Sequence, residues 1–146
     1  MNISRIILAD DSSILLTGLV QLLKTEFPEA EIKAVETGQA LLKEITLKKW
    51  DVAISDIDMP GRSGLEILEQ IKLLRPNLPV LILSMYKEDI YAARVMKAGA
   101  AGYLVKTSAA AELIHAVHHI ATGKKYITAE IAERLLDSFK RNKKAA

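Results

Sequence analysis

The sequence has 146 residues, half of them hydrophobic and about a quarter charged, which suits one compact domain and leaves no room for a second large one. It contains no cysteine, so a disulfide framework and a thiolate zinc site are both excluded. The net charge of +2 conceals an asymmetry: residues 1–123 carry 13 Lys/Arg against 15 Asp/Glu, whereas residues 124–146 carry seven against three.

The basic surplus gathers at Lys140, Arg141, Lys143 and Lys144. A run of this kind is more often a solvated helix end or a linker than a nucleic-acid contact. Residues 1–8 are too short an opening, and too soon followed by Asp10 and Asp11, to be a signal peptide. Apolar runs such as 79–83 fall far below a membrane span. The expected location is cytoplasmic.

In chain order, "RIILA" at 5–9 reads as a first strand, followed by a helix over 12–26 with Ser12 or Ser13 as its N-cap. "IKAVE" at 32–36 is a weaker strand, and a helix over 38–48 follows it. "DVAIS" at 51–55 is a third strand, in which Val52 and Ile54 suit a buried run. After a loop rich in Asp, Pro and Gly, residues 65–74 are helical and stop before Pro76. "PVLILS" at 79–84 is the most strand-like segment, 87–98 a helix ended by Gly99, and "GYLVK" at 102–106 a fifth strand. A fifth helix spans 109–122 before Gly123, and a sixth runs over 128–141 from the N-cap candidate Thr128. Five strands alternating with five helices predict a doubly wound α/β sandwich, with the last helix as an appendage.

In such folds the ligand crevice lies outside the carboxyl ends of the strands. The first strand ends in Asp10 and Asp11, the third in Asp56, the fourth in Ser84 and the fifth in Lys106. Three carboxylates on one rim repel unless a cation or protons intervene. Hard oxygen ligands with room for water suit Mg²⁺ or Mn²⁺. Phosphate oxygens would be drawn to such an ion, Lys106 and Ser84 could hold others, and one carboxylate could attack phosphorus.

The stretches "ADDSS" at 9–13, "SDIDMPGRSGLE" at 55–66, "LILSM" at 81–85 and "KAGAAGYLVK" at 97–106 resemble the receiver domain of two-component response regulators. The resemblance covers residues 4–123, and with "HHIATGKKYIT" at 118–128 it is nearest the NarL/FixJ (LuxR-type) transcription regulators. It implies a flavodoxin-like (βα)5 fold with a parallel five-stranded sheet in the order 2-1-3-4-5. It also implies that Asp56 takes a phosphoryl group from a sensor histidine kinase. Asp10, Asp11, Asp56 and the backbone carbonyl of Asp58 would hold Mg²⁺. Ser84 would bond a phosphoryl oxygen, Lys106 would pair with Asp56, and Tyr103 would be the switch aromatic. The protein would be no enzyme beyond promoting its own phosphorylation and dephosphorylation. Residues 1–123 would form the receiver. Residues 124–146 would be a linker helix leading to a helix-turn-helix domain that binds DNA and is absent from this sequence.

Thr107 follows Lys106 where many receivers have proline, which leaves the isomer of that peptide bond open. The Asp58 side chain is expected in solvent, as is Arg62. Trp50 reads as a packing residue, and His115, His118 and His119 as a broad solvated face rather than a metal site. Two rival functions are weaker. A haloacid-dehalogenase-type phosphatase would place its Asp-x-Asp after the first strand, not the third. A flavodoxin-like cofactor binder would not put two acids where a phosphate must sit. A stand-alone receiver acting through protein contacts is the nearer alternative. In the first helix, Leu15, Leu19 and Leu22 are expected to face the sheet. Leu16, Val20, Leu23 and Phe27 would form an outer stripe, with Leu16 and Val20 suited to a homodimer through the first and fifth helices.

Overall fold

The computed structural model describes residues 2–59, 61–85 and 89–145. It contains strands β1 (Arg5–Ala9), β2 (Glu31–Val35), β3 (Val52–Asp56), β4 (Val80–Ser84), β5 (Gly102–Val105) and β6 (Tyr126–Ile127). Between and after them run helices α1 (Ser13–Glu26), α2 (Gly38–Leu47), α3 (Gly64–Leu74), α4 (Asp89–Lys97), α5 (Ala109–Ala121) and α6 (Ala129–Ala145). The first two residues of the predicted helix over 87–98 lie outside the described residues, as do the side chains of Lys143 and Lys144.

All strands are parallel and lie in the order β2-β1-β3-β4-β5-β6. The first five match the expected order, and the sixth is an addition. Tyr126 and Ile127 pair with Gly102 and Tyr103. A Cβ on Gly102 would stand 2.8 Å from the carbonyl oxygen of Tyr126, so glycine is what lets β6 approach. The segment 124–146 is therefore not a mere appendage: it supplies a strand to the sheet and a helix to its cover.

β3 and β4 are buried along their whole length, because helices cover both faces of the sheet and apolar side chains are needed on each. On one face α2, α3, α4 and α6 enclose Ile7, Ile67, Ile82 and Tyr103. On the other α1 and α5 enclose Leu8, Ile54, Leu83 and Leu113. Each fully buried Ile or Leu contributes roughly 1.5–3 kcal/mol. Among the described residues no helix is long and apolar enough to cross a membrane.

The caps follow the sequence. Ser12 Oγ accepts from the Leu15 N–H, Thr37 Oγ1 from Ala40 and Ser63 Oγ from Glu66, each satisfying a first-turn donor. Thr128 Oγ1 does the same for Ile131. The facing of α1 is a correction. Leu16, Leu19 and Leu23 form its buried stripe, while Leu15, Val20, Leu22 and Phe27 are half-buried on its flanks. The helix has two adjoining apolar stripes, and α1 and α5 are neighbours, so the flanks also find cover and only the stripe through Leu16 faces the sheet. Leu16, 5 % exposed, is core, and the outer stripe expected to support a homodimer does not exist as such.

Candidate functional site

Asp10 directly follows β1 and Asp56 ends β3, the strand paired beside it. Both carboxylates are buried, and both are anchored the same way. Asp10 Oδ1 accepts from the Ser12 N–H at 2.8 Å, and Asp56 Oδ1 accepts from the Asp58 N–H at 3.1 Å. Each acid thus folds back on the chain two residues ahead, a turn that short carboxylates form readily. Their second oxygens converge on one ammonium. Lys106, just beyond β5, places Nζ 2.9 Å from Asp10 Oδ2 and 3.0 Å from Asp56 Oδ2. Among the described residues that ammonium is the sole partner of either oxygen.

Electrostatics follows from this placement. Burial pushes the Asp56 carboxyl above its ordinary range and the neighbouring Asp10 adds to the push, while the Asp58 N–H and Lys106 oppose them without prevailing. Burial alone would pull Lys106 down, but its bonds to Asp10 and Asp56 outweigh that and hold it above the usual lysine value.

Ser84 ends β4, is fully buried, and pairs in register with Val105, the residue before Lys106. The loop after Asp56 is held by the Gly64 N–H, which donates to the Ile57 carbonyl at 2.7 Å, and by a bridge between Asp58 and Ser63. A Cβ on Gly64 would collide with the Ile57 backbone, so only glycine permits this closure. The Asp58 side chain is exposed, as expected. The peptide bond between Lys106 and Thr107 is trans, and a single 3₁₀ turn over Lys106–Ser108 carries the chain into α5.

Asp10, Asp11 and Asp56 each offer a carboxylate oxygen within 4.8 Å of the others, with Asp11 exposed and the other two buried. Among the described residues this is the only such group of three metal-ligating side chains. Three negative charges face one ammonium, leaving an excess of two that a divalent cation matches. With the two buried oxygens that have no partner except Lys106, the donor set fits a hard, oxygen-liganded ion of the Mg²⁺ class.

The other singled-out residues lie elsewhere. Trp50 is buried, its Nε1 donating to the Glu44 carbonyl at 2.9 Å. Arg62 donates to Gln70 Oε1 on the surface. His118 Nε2 lies 2.8 Å from Glu26 Oε2, tying α5 to the end of α1. His115 and His119 both stand edge-on to Tyr126. The Tyr126 hydroxyl donates to Glu112 Oε1, and burial together with that carboxylate pushes it up to about 12.

Tyr103 is wholly buried on the face covered by α4 and α6. The cover was not foreseen. Ile131 of α6 is 1 % exposed and shares one apolar cluster with Tyr103, Ala92 and Val95. The sequence signal was available in Ile131 and Leu135, apolar residues four positions apart on one face of α6.

The model of the response regulator receiver domain matches residues 6–118. The chain belongs to the response regulator receiver family. The response regulator GacA of Pseudomonas viridiflava is 32% identical over 136 residues, covering 92% of this chain and 64% of that protein. The transcriptional regulatory protein DesR of Bacillus subtilis is 35% identical over 130 residues, covering 89% of this chain and 64% of that protein. The crystal structure of a LuxR-family two-component response regulator from an Aurantimonas species superposes with a TM-score of 0.87 at 26% identity, covering 94% of this chain and 98% of that one. These likenesses place the receiver in the NarL/FixJ type and its fold among flavodoxin-like sandwiches. The chain spans about 64% of the length of the curated relatives GacA and DesR.

Proposed function

We propose that this receiver accepts a phosphoryl group on Asp56 from the phosphohistidine of a sensor kinase, and that the resulting change controls transcription. The observation that carries this reading is the Lys106 ammonium bridging Asp10 and Asp56 at 2.9 and 3.0 Å. In the transfer, an Asp56 oxygen forms the new O–P bond, the P–N bond to the donor imidazole breaks, and the imidazole leaves with the bonding pair. Lys106 stands where it can exchange its contact with Asp56 for one with the arriving phosphoryl oxygens. Ser84, at the neighbouring strand end, offers a hydroxyl to another. The raised carboxyl of Asp56 makes its anion a better nucleophile than an ordinary aspartate. Asp10, Asp11 and Asp56, with the Asp58 carbonyl, would hold Mg²⁺, which when bound supplies charge neutralisation at the phosphoryl oxygens.

Asp56 is used stoichiometrically, so the protein is a phosphoacceptor rather than a turnover enzyme. DesR is by its name a transcriptional regulatory protein, and that likeness supports transcription as the output, through DNA contacts of a further domain. No homodimer is proposed, because in the stripe that suggested one Leu16 and Leu23 are core and Val20 and Phe27 are half-buried.

Incubation with acetyl phosphate and Mg²⁺ followed by intact-mass spectrometry tests the assignment. One phosphoryl adduct is expected, and Asp56→Asn should lose it. Equal labelling of that variant would sink the reading.

A further inference from the structure

At the opposite end of the sheet from Asp56, beside the amino ends of β4 and β5, three lysines close around a small pocket. Lys72 comes from the last turn of α3, and Lys124 and Lys125 from the turn between α5 and β6. With Asn77, Gly99 and Gly123 among its walls, the pocket encloses about 140 Å³. Two of the three ammonium groups are held in place by backbone carbonyls. Lys72 Nζ donates to the Leu78 carbonyl at 3.0 Å, and Lys125 Nζ donates to the Ala100 carbonyl at 3.0 Å. The stem of Lys72 lies along Gly99, where a Cβ would stand 3.4 Å from its Cε, and Gly99 has φ +106°.

What the lysines lack is a counter-charge. Among the described residues no carboxylate pairs with Lys72, Lys124 or Lys125, and no acid lines the pocket. Lys72 also borders a wider groove of about 610 Å³ between α3 and α4, lined by Arg94 and Lys97 and by Glu69 as its one acid. Burial, and then the charge of Lys125, pull the Lys72 ammonium below its ordinary value, the expected sign for like charges held together without an anion. A lysine that merely capped a carbonyl would gain nothing from two more beside it.

An ammonium has three N–H donors, so Lys72 and Lys125 each keep two after the carbonyl is satisfied. A ligand that offsets the charge must therefore be small, carry more than one negative charge, and present several acceptor oxygens. We infer that the pocket formed by Lys72, Lys124 and Lys125 is an anion site for a phosphate-class dianion, separate from the phosphoacceptor site. The strands between them are five and four residues long, which sets the two sites on the order of 15 Å apart.

The test uses the full chain carrying Asp56→Asn, without Mg²⁺, so that the acidic site takes no phosphate. Inorganic phosphate is titrated at constant ionic strength against chloride, and backbone amide resonances are followed by NMR. Saturable shifts are expected at Gly99, Ala100 and residues 123–126, with a Kd of about 1 mM, typical of a small ligand held by a few ionic contacts. Lys125→Met and Lys124→Gln should each weaken binding about tenfold, a loss of ~1.4 kcal/mol. Lys72→Met should do the same if it folds, and the two turn variants decide the matter if it does not. Dimethyl phosphate, which stands in for a nucleic-acid or lipid diester, should bind at least tenfold more weakly. Shifts that chloride reproduces, or binding that survives Lys125→Met and Lys124→Gln, would overturn the site. A diester bound as tightly as phosphate would overturn the dianion assignment.

Discussion

The Lys106 ammonium lies 3.0 Å from Asp56 Oδ2 although the two residues stand at the ends of strands that are not neighbours, β5 and β3. Lys106 extends from the end of β5 across the end of β4 to reach the carboxylates of β3 and β1. One flexible side chain thereby ties three strand ends, those of β1, β3 and β5, to a single charge cluster. The arrangement is stable enough to fold and expensive enough to be changed, since burial raises Asp56 despite the lysine beside it.

Removing the Asp56 charge should therefore stabilise the chain. A carboxyl whose folded value lies above its unfolded value favours folding at low pH, and that contribution is lost as pH rises through the folded value. The loss begins near the ordinary value of 3.8 and is complete above the raised one. Asp56→Asn has no such loss, so its advantage should grow across that window and then stay level at neutral pH, where its Tm should exceed that of the wild-type chain. Urea unfolding at a series of pH values measures it. A variant less stable than wild type at pH 7 would contradict the assignment of burial as the dominant cause.

Truncating Lys106 should do the reverse. Lys106→Met leaves one buried oxygen of each carboxylate, Asp10 Oδ2 and Asp56 Oδ2, without its partner, and breaking such a pair costs about 2–4 kcal/mol at a partly hydrated rim. The sign agrees with its own titration. A lysine raised by its partners contributes stability that is present below its ordinary value of 10.5 and is lost as pH rises through the higher folded value. Combining Lys106→Met with Asp56→Asn should recover much of the loss. A double-mutant cycle with no coupling between the two would mean that the 3.0 Å contact carries no energy.

Asp11 separates metal binding from folding, because it is exposed and belongs to the acidic trio. If the acidic trio holds Mg²⁺ as proposed, the ion should raise the Tm of the wild-type chain, and Asp11→Ala should fold normally yet lose that rise. A few-ligand site that leaves the ion most of its waters should have a Kd in the millimolar range, roughly 1 mM. Thermal unfolding at graded Mg²⁺ is the measurement. The same Mg²⁺ dependence in both proteins would remove Asp11 from the metal site.

The site residues were legible because each stands next to a strand whose apolar run is clear. Asp10, Asp56, Ser84 and Lys106 are all found where a doubly wound sheet puts them, and none depended on an exact helix boundary. α1 was harder. Its two apolar stripes adjoin, and periodicity alone does not say which one meets the sheet and which meets α5. The structure gives a clear consequence. Leu16→Ala should cost about 2–4 kcal/mol as a core truncation, whereas Ile14→Ser, at a position 87 % exposed, should change stability by no more than about 0.5 kcal/mol. Near-wild-type stability of the Leu16 variant in urea unfolding would restore the surface stripe. β6 was not legible at all, since a two-residue strand has no period to detect and its partner signal is the missing side chain of Gly102.

The last helix should behave as part of the receiver. Ile131 is fully enclosed with Tyr103, Ala92 and Val95, and β6 hydrogen-bonds to the chain just before β5 through the Tyr126 N–H and the Ala101 carbonyl at 2.8 Å. An independent linker would lose only its own order when Ile131 is shortened. A helix that closes the core over Tyr103 would transmit the loss to the whole domain, because α4, β5 and α6 share that cluster. Ile131→Ala should accordingly destabilise global unfolding by about 2–4 kcal/mol and raise amide exchange in α4 as well as in α6. Exchange that increases only after residue 128, with the urea midpoint unchanged, would show instead that α6 opens without the core.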